Sequence, residues 1–514
     1  MAEDLSPINS MLTIDILIHI FELNTYMTPY QKGTHYRVQP HSIAFLTLFR
    51  GSQVCSLWRD TLINSSQLWG RAVDLYMFHA RHHLPLWNLM LIRSGKAPLH
   101  LKARIEDNNA STILPFIATI VETSWERVKS IDIACDSTPL VAWPLSLISP
   151  MCERPAPSLV SFRIGYPAVW LWDVVQIQRF PKLPFSGYAP YLQDVFLEHA
   201  SIDLQTSWGV HIRSFAIQSP KKLLNAVELI QTLSQFPLLE SLILFNALDS
   251  SLDSIPFLTP LHLPRLQYLS IGDDTFGRPP VIFLASITTE PGCGLHLDVN
   301  DREDLVPFED LRAALGKFSQ QHFDKHPPEE LSLLCVGKGI TITTALSHKT
   351  ESVLFVRIND SRRIRLQYCE LLEFMEPRHC SSITTLEVRI ETEFEPDPRQ
   401  FLALFARRFQ NVQVLRTSIF TFDLWFKLRG YESDPIIFPM LREFRVIPRF
   451  YLTEKMNPDL FVKFFNFRKE HHISIPSFHM PTHDGSGSKW RADTGVASGL
   501  EIHWYVFKKG RAVR

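Results

Sequence analysis

The fold of most of this chain depends on a pattern that is clearest in the segment Pro237-Leu238-Leu239-Glu240-Ser241-Leu242-Ile243-Leu244-Phe245. The segment contains apolar residues in the form apolar–x–x–apolar–x–apolar, and a proline stands two residues before the first of them. Alternate residues of a β-strand point to opposite faces of a sheet. The pattern therefore predicts a strand in which one set of alternate side chains faces a core and the other set faces away from it.

The same apolar pattern recurs along the chain in two runs, with steps of 20 to 33 residues between adjacent copies within each run. The copies are Val128/Ile131/Ile133, Leu159/Phe162/Ile164, Leu192/Val195/Leu197, Ile212/Phe215/Ile217, Leu239/Leu242/Leu244, Leu266/Leu269/Ile271, Ile383/Leu386/Val388, Val412/Leu415/Thr417 and Leu441/Phe444/Val446. The step and the Leu–x–x–Leu–x–Leu core resemble leucine-rich repeats. The resemblance implies an irregular α/β solenoid, in which successive strands stack into one sheet and helices or loops cover its other side.

Residues 272–380 do not keep this register. Leu295/Leu297/Val299, 353–358 and Ile364/Leu366 read as strands there, and a different mixed α/β domain is an open alternative for the stretch. The apolar spacing within 223–236 predicts an amphipathic helix. Residues 500–507 predict a terminal strand that closes the open edge of the array.

Large apolar side chains also occupy some positions that face away from the predicted core. Such groups mark partner-binding surfaces when they lie on the open face of a repeat array. The candidate target-binding residues are Phe196, Ile243, Phe245 and Tyr268. The open alternative is that a loop covers them.

The first helix is predicted over residues 12–22. The residues with the spacing of one helix face are Ile14, Leu17, Ile18 and Phe21. Ile16 and Ile20 extend the apolar surface around most of the circumference. A short helix cannot bury two faces within a small domain, so we expect one face to bind a partner.

Three motif pieces between residues 8 and 70 resemble an F-box. They are Leu12–x–Ile14–x–Ile16-Leu17–x–x–Ile20-Phe21, Val54-Cys55–x–x–Trp58-Arg59 and Leu68-Trp69. Thr13 and Asp15 stand where the family usually has proline and glutamate, and a polar insert covers about 24–41. The resemblance implies a three-helix module that docks on the Skp-type adaptor of cullin–RING ubiquitin ligases. The implied adaptor-binding residues are Leu12, Ile14, Ile16, Leu17, Ile20, Phe21, Val54, Cys55, Trp58, Leu68 and Trp69. The open alternative is a set of capping helices for the repeat domain.

The next residues resemble a run that follows the F-box in a large group of mushroom-forming fungal proteins. In this chain the run comprises Leu86-Trp87, Leu91-Ile92-Arg93-Ser94-Gly95 and Pro98-Leu99-His100-Leu101. It predicts a helix with Gly95 at its C-cap, followed by a short strand. The predicted fold class is α+β, with an all-α F-box-like module at 1–70, a helical linker and first strand at 71–105, and a leucine-rich-repeat-like substrate-binding domain at 106–514.

Composition and charge limit the partners that we expect. The 514-residue chain carries 52 Lys and Arg against 53 Asp and Glu, a balance that predicts neither nucleic-acid nor membrane-surface binding. Seven scattered cysteines without a Cys–x–x–Cys pair indicate reduced thiols. The acidic N-terminus and the lack of a long apolar run predict neither a signal peptide nor a membrane span. We therefore expect a cytoplasmic or nuclear protein.

The sequence contains no P-loop, dinucleotide-binding or serine-hydrolase motif. His79, His82 and His83 lie close together, and His471-His472, His479 and His483 form a looser set. Neither set has the further ligands of a zinc site. The acidic run at 391–397 predicts a solvated loop. We predict no catalytic residues, no cofactor and no metal, with an unrecognised enzyme site in 272–380 as the open alternative.

These features favour a substrate-recognition subunit similar to those of Skp–cullin–F-box ubiquitin ligases. Residues 8–70 would bind the Skp-type adaptor, and through it a cullin–RING ligase, while the repeat surface would hold an unidentified protein target. Such a receptor acts by proximity, because binding raises the local concentration of a target lysine beside the ligase. The alternative in the same class is an F-box scaffold or regulatory protein without a ligase.

Overall fold

A computed structural model describes residues 12–25, 43–75, 84–106, 108–135, 150–165, 184–200, 207–220, 223–249, 260–273, 278–301, 308–336, 339–345, 352–360, 372–390, 407–428, 437–447, 458–482, 500–508 and 511–513. The chain divides into two compact units, Met1–Asp249 and Ser250–Arg514. Both units are mixed α/β, and most of their strand pairs are parallel. The predicted divisions at residues 70 and 105 fall inside the first unit, because its first helices pack on its first strands.

In its described part, the first unit begins with four short helices that form a helical module. They are α1 (Ile14–Asn24), α2 (Ile43–Gly51), α3 (Ser56–Asn64) and α4 (Ser66–Arg71). Further along the unit lie α5 (Leu84–Ser94), α6 (Ala110–Thr123) and α7 (Ala226–Leu233). The helices predicted over 12–22 and within 223–236 are confirmed as α1 and α7, with ends that differ by two or three residues.

The described strands of the first unit form a parallel sheet in chain order. They are β1 (Val73–Asp74), β2 (Leu99–Ile105), β3 (Val128–Cys135), β4 (Ser161–Gly165), β5 (Asp194–Glu198), β6 (Ser214–Gln218) and β7 (Ser241–Phe245). Each strand pairs with the next, so Phe162, Val195, Phe215 and Leu242 form one buried row. The predicted inward and outward positions of β7 are confirmed by its alternating burial.

A short turn precedes the repeat strands and accounts for the recurring proline. The first apolar residue of the pattern donates its backbone N–H to the carbonyl three residues earlier, as Leu239 does to Phe236 at 3.1 Å. The equivalent bonds join Leu159 to Ala156, Leu192 to Ala189, Ile212 to Gly209, Leu266 to Leu263, Ile383 to Cys380, Val412 to Phe409 and Leu441 to Phe438. Where proline occurs it occupies the second turn position, which suits its fixed φ and needs no N–H.

The residue directly after the strand bends the chain in three neighbouring repeats of the first unit. His199, Ser219 and Asn246 adopt positive φ values of 55°, 45° and 47°. His199 donates its N–H to the Gln218 carbonyl at 2.8 Å, and Ser219 donates to the Phe245 carbonyl at 2.6 Å. Asparagine and histidine enter this conformation more readily than most residues. These bends link each repeat to the next at the carboxyl ends of the strands.

The second unit contains, among its described residues, the helices α8 (Arg278–Ser286), α9 (Phe308–Lys325), α10 (Pro377–Cys380), α11 (Ile419–Leu428) and α12 (Pro458–Glu470). Its strands are β8 (Leu261–Leu263), β9 (Tyr268–Asp273), β10 (Ile287–Thr289), β11 (Gly294–Asp301), β12 (Glu330–Val336), β13 (Gly339–Ala345), β14 (Ser352–Asp360), β15 (Thr385–Ile390), β16 (Val414–Thr417), β17 (Glu443–Val446), β18 (Ser477–Thr482), β19 (Glu501–Lys508) and β20 (Arg511–Val513). Strands β8 and β10 form a separate parallel pair.

The strand order explains why 272–380 has no repeat register. Strand β13 pairs antiparallel with both β12 and β14, and β14 lies parallel to β11. The hairpin therefore separates β11 from β12, which in turn pairs in parallel with β15. The strands predicted around residue 297 and over 353–358 are confirmed as β11 and β14. All these strands belong to one sheet and lie within the second unit.

Strands β15 to β19 pair in parallel in chain order. The strand predicted over 500–507 is confirmed as β19. It is not the edge strand of the described sheet, because β18 pairs with it on one side and β20 pairs antiparallel with it on the other. Other predicted features lie outside the described residues. They are most of the insert at 24–41, the strand at Ile364/Leu366, the cluster of His79, His82 and His83, residue His483 and the acidic run at 391–397.

Candidate functional site

Helix α1 begins where the Thr13 hydroxyl accepts a hydrogen bond from the backbone N–H of Ile16 at 3.4 Å. Asp15 lies in the first turn, where a negative charge is favourable beside the positive end of the helix dipole. Threonine supplies a side-chain cap that proline does not provide. The two residues that depart from the F-box pattern here therefore both fit the start of a helix.

One apolar face of α1 forms part of the core of the helical module. Leu17 and Phe21 are only 1% and 4% exposed. The Phe21 ring meets the Trp58 ring edge-on, with 5.4 Å between their centroids. Phe21 also lies against Gly51, where an added Cβ would be 2.7 Å from the ring. This face holds α1 against α2 and α3 and is closed to a partner.

The other apolar face of α1 is open to solvent. Ile16, Ile20 and Leu23 follow the i, i+4, i+7 spacing and are 48%, 37% and 67% exposed. We call these three residues the α1 stripe. Ile14 in the first turn is 53% exposed, and Val54, between α2 and α3, is 61% exposed. A row of large aliphatic side chains in water makes this face a candidate for partner binding.

The predicted adaptor-binding residues separate by burial. The exposed ones are Ile14, Ile16, Ile20 and Val54, and the half-buried ones are Leu12, Cys55 and Trp58. The fully buried ones are Leu17, Phe21, Leu68 and Trp69. The module's own helices enclose the side chains of this last group, which therefore support its core, and their part in adaptor binding stays a prediction. Leu23 is absent from the set predicted from the sequence, although its spacing of seven residues from Ile16 places it on the same helix face.

The run that ends in Arg93-Ser94-Gly95 packs on the Leu68-Trp69 motif. Trp69 donates its indole N–H to the Leu62 carbonyl at 2.7 Å. The Arg93 guanidinium lies over the Trp69 ring, 4.6 Å from its centroid, as in a cation–π contact. Gly70 approaches Pro98 so closely that an added Cβ would lie 2.3 Å from the Pro98 oxygen. The Leu68-Trp69 motif and the run that follows the F-box-like segment therefore meet at one contact. We call this contact, formed by Trp69, Gly70, Arg93 and Pro98, the Trp69 joint.

Ser94 and Gly95 end α5 beside the Trp69 joint. Gly95 has a φ of +49°, the left-handed conformation expected of a glycine that ends a helix. The Ser94 hydroxyl donates to the Leu91 carbonyl at 2.8 Å. Arg127 donates to the Ala97 carbonyl at 2.8 Å and to the Ser94 oxygen at 3.2 Å. The Arg-Ser-Gly sequence thus fastens the helical module to the first strands of the sheet.

Three candidate target-binding residues lie on the outward face of the first sheet. Phe196, Ile243 and Phe245 are half-buried, and no described loop encloses them completely. Phe196 and Ile243 share one row of the sheet, two strands apart. Arg163 stacks over the Phe196 ring at 5.0 Å and pairs with Asp194 at 3.2 Å. This face therefore combines aromatic, aliphatic and charged groups.

The second unit presents a more charged outward face. Tyr268, the fourth candidate, is 38% exposed on β9. On β17, Glu443 pairs with Arg445 and lies 2.9 Å from the Nε2 atom of His479. Burial alone would raise the pKa of Glu443, but Arg445, His479 and Arg416 together hold that pKa below its ordinary value. The carboxylate is therefore kept ionised by its neighbours.

An acid–base pair lies within the stretch where an enzyme site was the alternative. His379 is buried, and its Nε2 lies 2.8 Å from Asp324, which also pairs with Arg378 at 2.9 Å. The other ring nitrogen of His379 has no hydrogen-bond partner among the described residues. Ser382 donates instead to backbone carbonyls, and burial raises the pKa of the Cys380 thiol to about 11 although Arg408 opposes this. No described nucleophile is activated by this pair.

Within the described ranges, no group of three or more His, Cys, Asp or Glu side chains is arranged to hold a metal ion. In the same part of the chain, no helix combines the length and apolar character needed to cross a membrane. A comparison with protein-family models gives no match, and a comparison with curated proteins gives none.

Proposed function

We propose that the protein is an F-box-type substrate-recognition subunit, which docks a Skp-type adaptor through its helical module and binds a protein target through its sheet surface. The α1 stripe carries the proposal, because Ile16, Ile20 and Leu23 are exposed while the opposite face of the same helix is buried. One face serves folding, and the other is left for a partner. The F-box-like motif pieces around this helix favour the adaptor as that partner.

In this proposal the protein performs no bond chemistry. It holds a target beside a cullin–RING ligase, and the raised local concentration of a target lysine accelerates transfer. In the first unit the target-binding candidates are Phe196, Ile243 and Phe245, and the Trp69 joint keeps the helical module packed against the sheet that presents them. The proposed location is the cytoplasm or nucleus, where cysteine thiols remain reduced.

The test uses the full chain and a purified fungal Skp-type adaptor. Ile16→Asp and Ile20→Asp each place a charge in the proposed interface, where it has no partner. A lost hot spot weakens binding by about 2 kcal/mol or more, or about 30-fold in Kd. We expect at least this loss by biolayer interferometry, with unchanged thermal unfolding, because both side chains are exposed in the free protein.

Ile92→Asp is the matched control. Ile92 is 76% exposed on α5, outside the α1 stripe, and its substitution is expected to leave adaptor binding unchanged. Undiminished binding by the two α1 variants, or an equal loss in the control, contradicts the proposed docking surface. Co-purification of a cullin with the wild-type chain, and its loss with Ile16→Asp, separates a ligase receptor from a scaffold that uses the adaptor alone.

A further inference from the structure

We draw no further inference here: the strongest candidate, the side-chain cluster of His322 and His326 at the C-terminal end of α9, brings two imidazole rings to 5.8 Å between their centroids, but no third ligand for a metal ion stands with them among the described residues.

Discussion

In the first unit the strands from β2 to β7 lie side by side in chain order, whereas in the second unit the hairpin of β13 and β14 lies between β11 and β12. The interiors of the two units also differ in the number of buried ionisable side chains. Among the described residues, and leaving cysteine thiols aside, the buried ionisable side chain of the first unit is Asp74, whereas those of the second unit are Asp273, His322, His379 and Arg468. Helix α9, which carries His322, is the connection from β11 to β12.

The difference teaches how an interrupted array is held together. In the first unit the strands pack through the same apolar rows, and the turns before them form the same backbone hydrogen bond. Where the order of strands changes, connections are unique and their polar groups need individual partners. We therefore expect substitutions of buried polar groups to affect the second unit more than the first.

The largest expected effect is that of Arg468→Met in the second unit. Arg468 is 2% exposed and donates to the carbonyls of Ile437, Phe438 and Ile473 at 3.0 to 3.1 Å. The variant removes this donor from three carbonyls, of which that of Phe438 is buried, so the free energy of unfolding should fall by about 4 kcal/mol. Urea denaturation gives the size of the loss, and hydrogen exchange over 437–482 locates it.

Arg445→Met is the control for this prediction. Arg445 pairs with Glu443 on the sheet surface and its side chain is 37% exposed, so its loss should cost less than about 1 kcal/mol. If Arg468→Met and Arg445→Met lower the free energy of unfolding equally, the burial of Arg468 does not account for the effect. Equal loss of exchange protection in β7 breaks the comparison between the units, because the effect is then not local to the second unit.

Acid sensitivity should also distinguish the second unit. Burial, together with the nearby His326 and against a contact with the Cys293 backbone, lowers the pKa of His322 from 6.5 to about 4. The unfolded chain takes up this proton near pH 6.5 and the folded protein only near pH 4, so acid favours unfolding across that window. The penalty is absent above pH 6.5 and approaches roughly 3 kcal/mol below pH 4.

His322→Gln should flatten the dependence of unfolding free energy on pH between 6.5 and 4, as measured by urea denaturation. His471→Gln, at an exposed turn, should leave that dependence unchanged. The first unit offers a direct comparison, because burial, with Lys129 and Arg71, also lowers the pKa of the half-buried His100 to about 4. If His100→Gln flattens the pH dependence of the unfolding free energy more than His322→Gln does, the first unit is the more acid-sensitive one, which contradicts the prediction.

Gly70→Ala should be the more damaging of two glycine substitutions. An added Cβ would lie 2.3 Å from the backbone oxygen of Pro98, so α4 and the start of β2 must separate. Overpacking of this kind lowers stability by about 2 kcal/mol, which outweighs the helical preference for alanine. Thermal unfolding measures the loss, and an unchanged melting temperature contradicts the close approach at the Trp69 joint.

Gly316→Ala should act in the opposite direction. Gly316 lies in α9 of the second unit, and the nearest atom to an added Cβ is the Phe374 oxygen at 3.8 Å, an ordinary contact. Alanine should therefore raise the free energy of unfolding by up to about 1 kcal/mol, because glycine is the poorer helix former. A loss of stability in the same thermal assay would reveal packing constraints on α9 as tight as those at Gly70.

The predicted fold is most accurate where the repeats are regular, because three apolar positions identify each of the strands β4 to β7. Strand β12 was missed since Pro328 stands where the first apolar residue belongs, and β13 because a hairpin strand has no preceding repeat turn. Strand β18 does fit the pattern, through Ile475, Phe478 and Met480. Its step from Leu441 is 34 residues, one more than the longest step between the copies recognised in the sequence.

The candidate docking surface shows a different limit of sequence reasoning. Helical spacing shows that α1 is apolar on two faces, but spacing alone does not decide which face meets solvent. That choice depends on tertiary contacts, above all the packing of Phe21 against Trp58 and Gly51. The predicted docking set therefore mixed Ile16 and Ile20, which are exposed, with core residues.

The turn that closes with Leu239 and the equivalent turn that closes with Ile212 have the same backbone hydrogen bond, so they are interchangeable ends of one segment. Copying the 27 residues from one to the other inserts a whole strand and preserves the alternation of its neighbours. In-frame duplication or loss of such a segment in the gene would change the width of the sheet by about 4.8 Å. The outward face of the sheet can thus change by length as well as by substitution, without redesign of the interior.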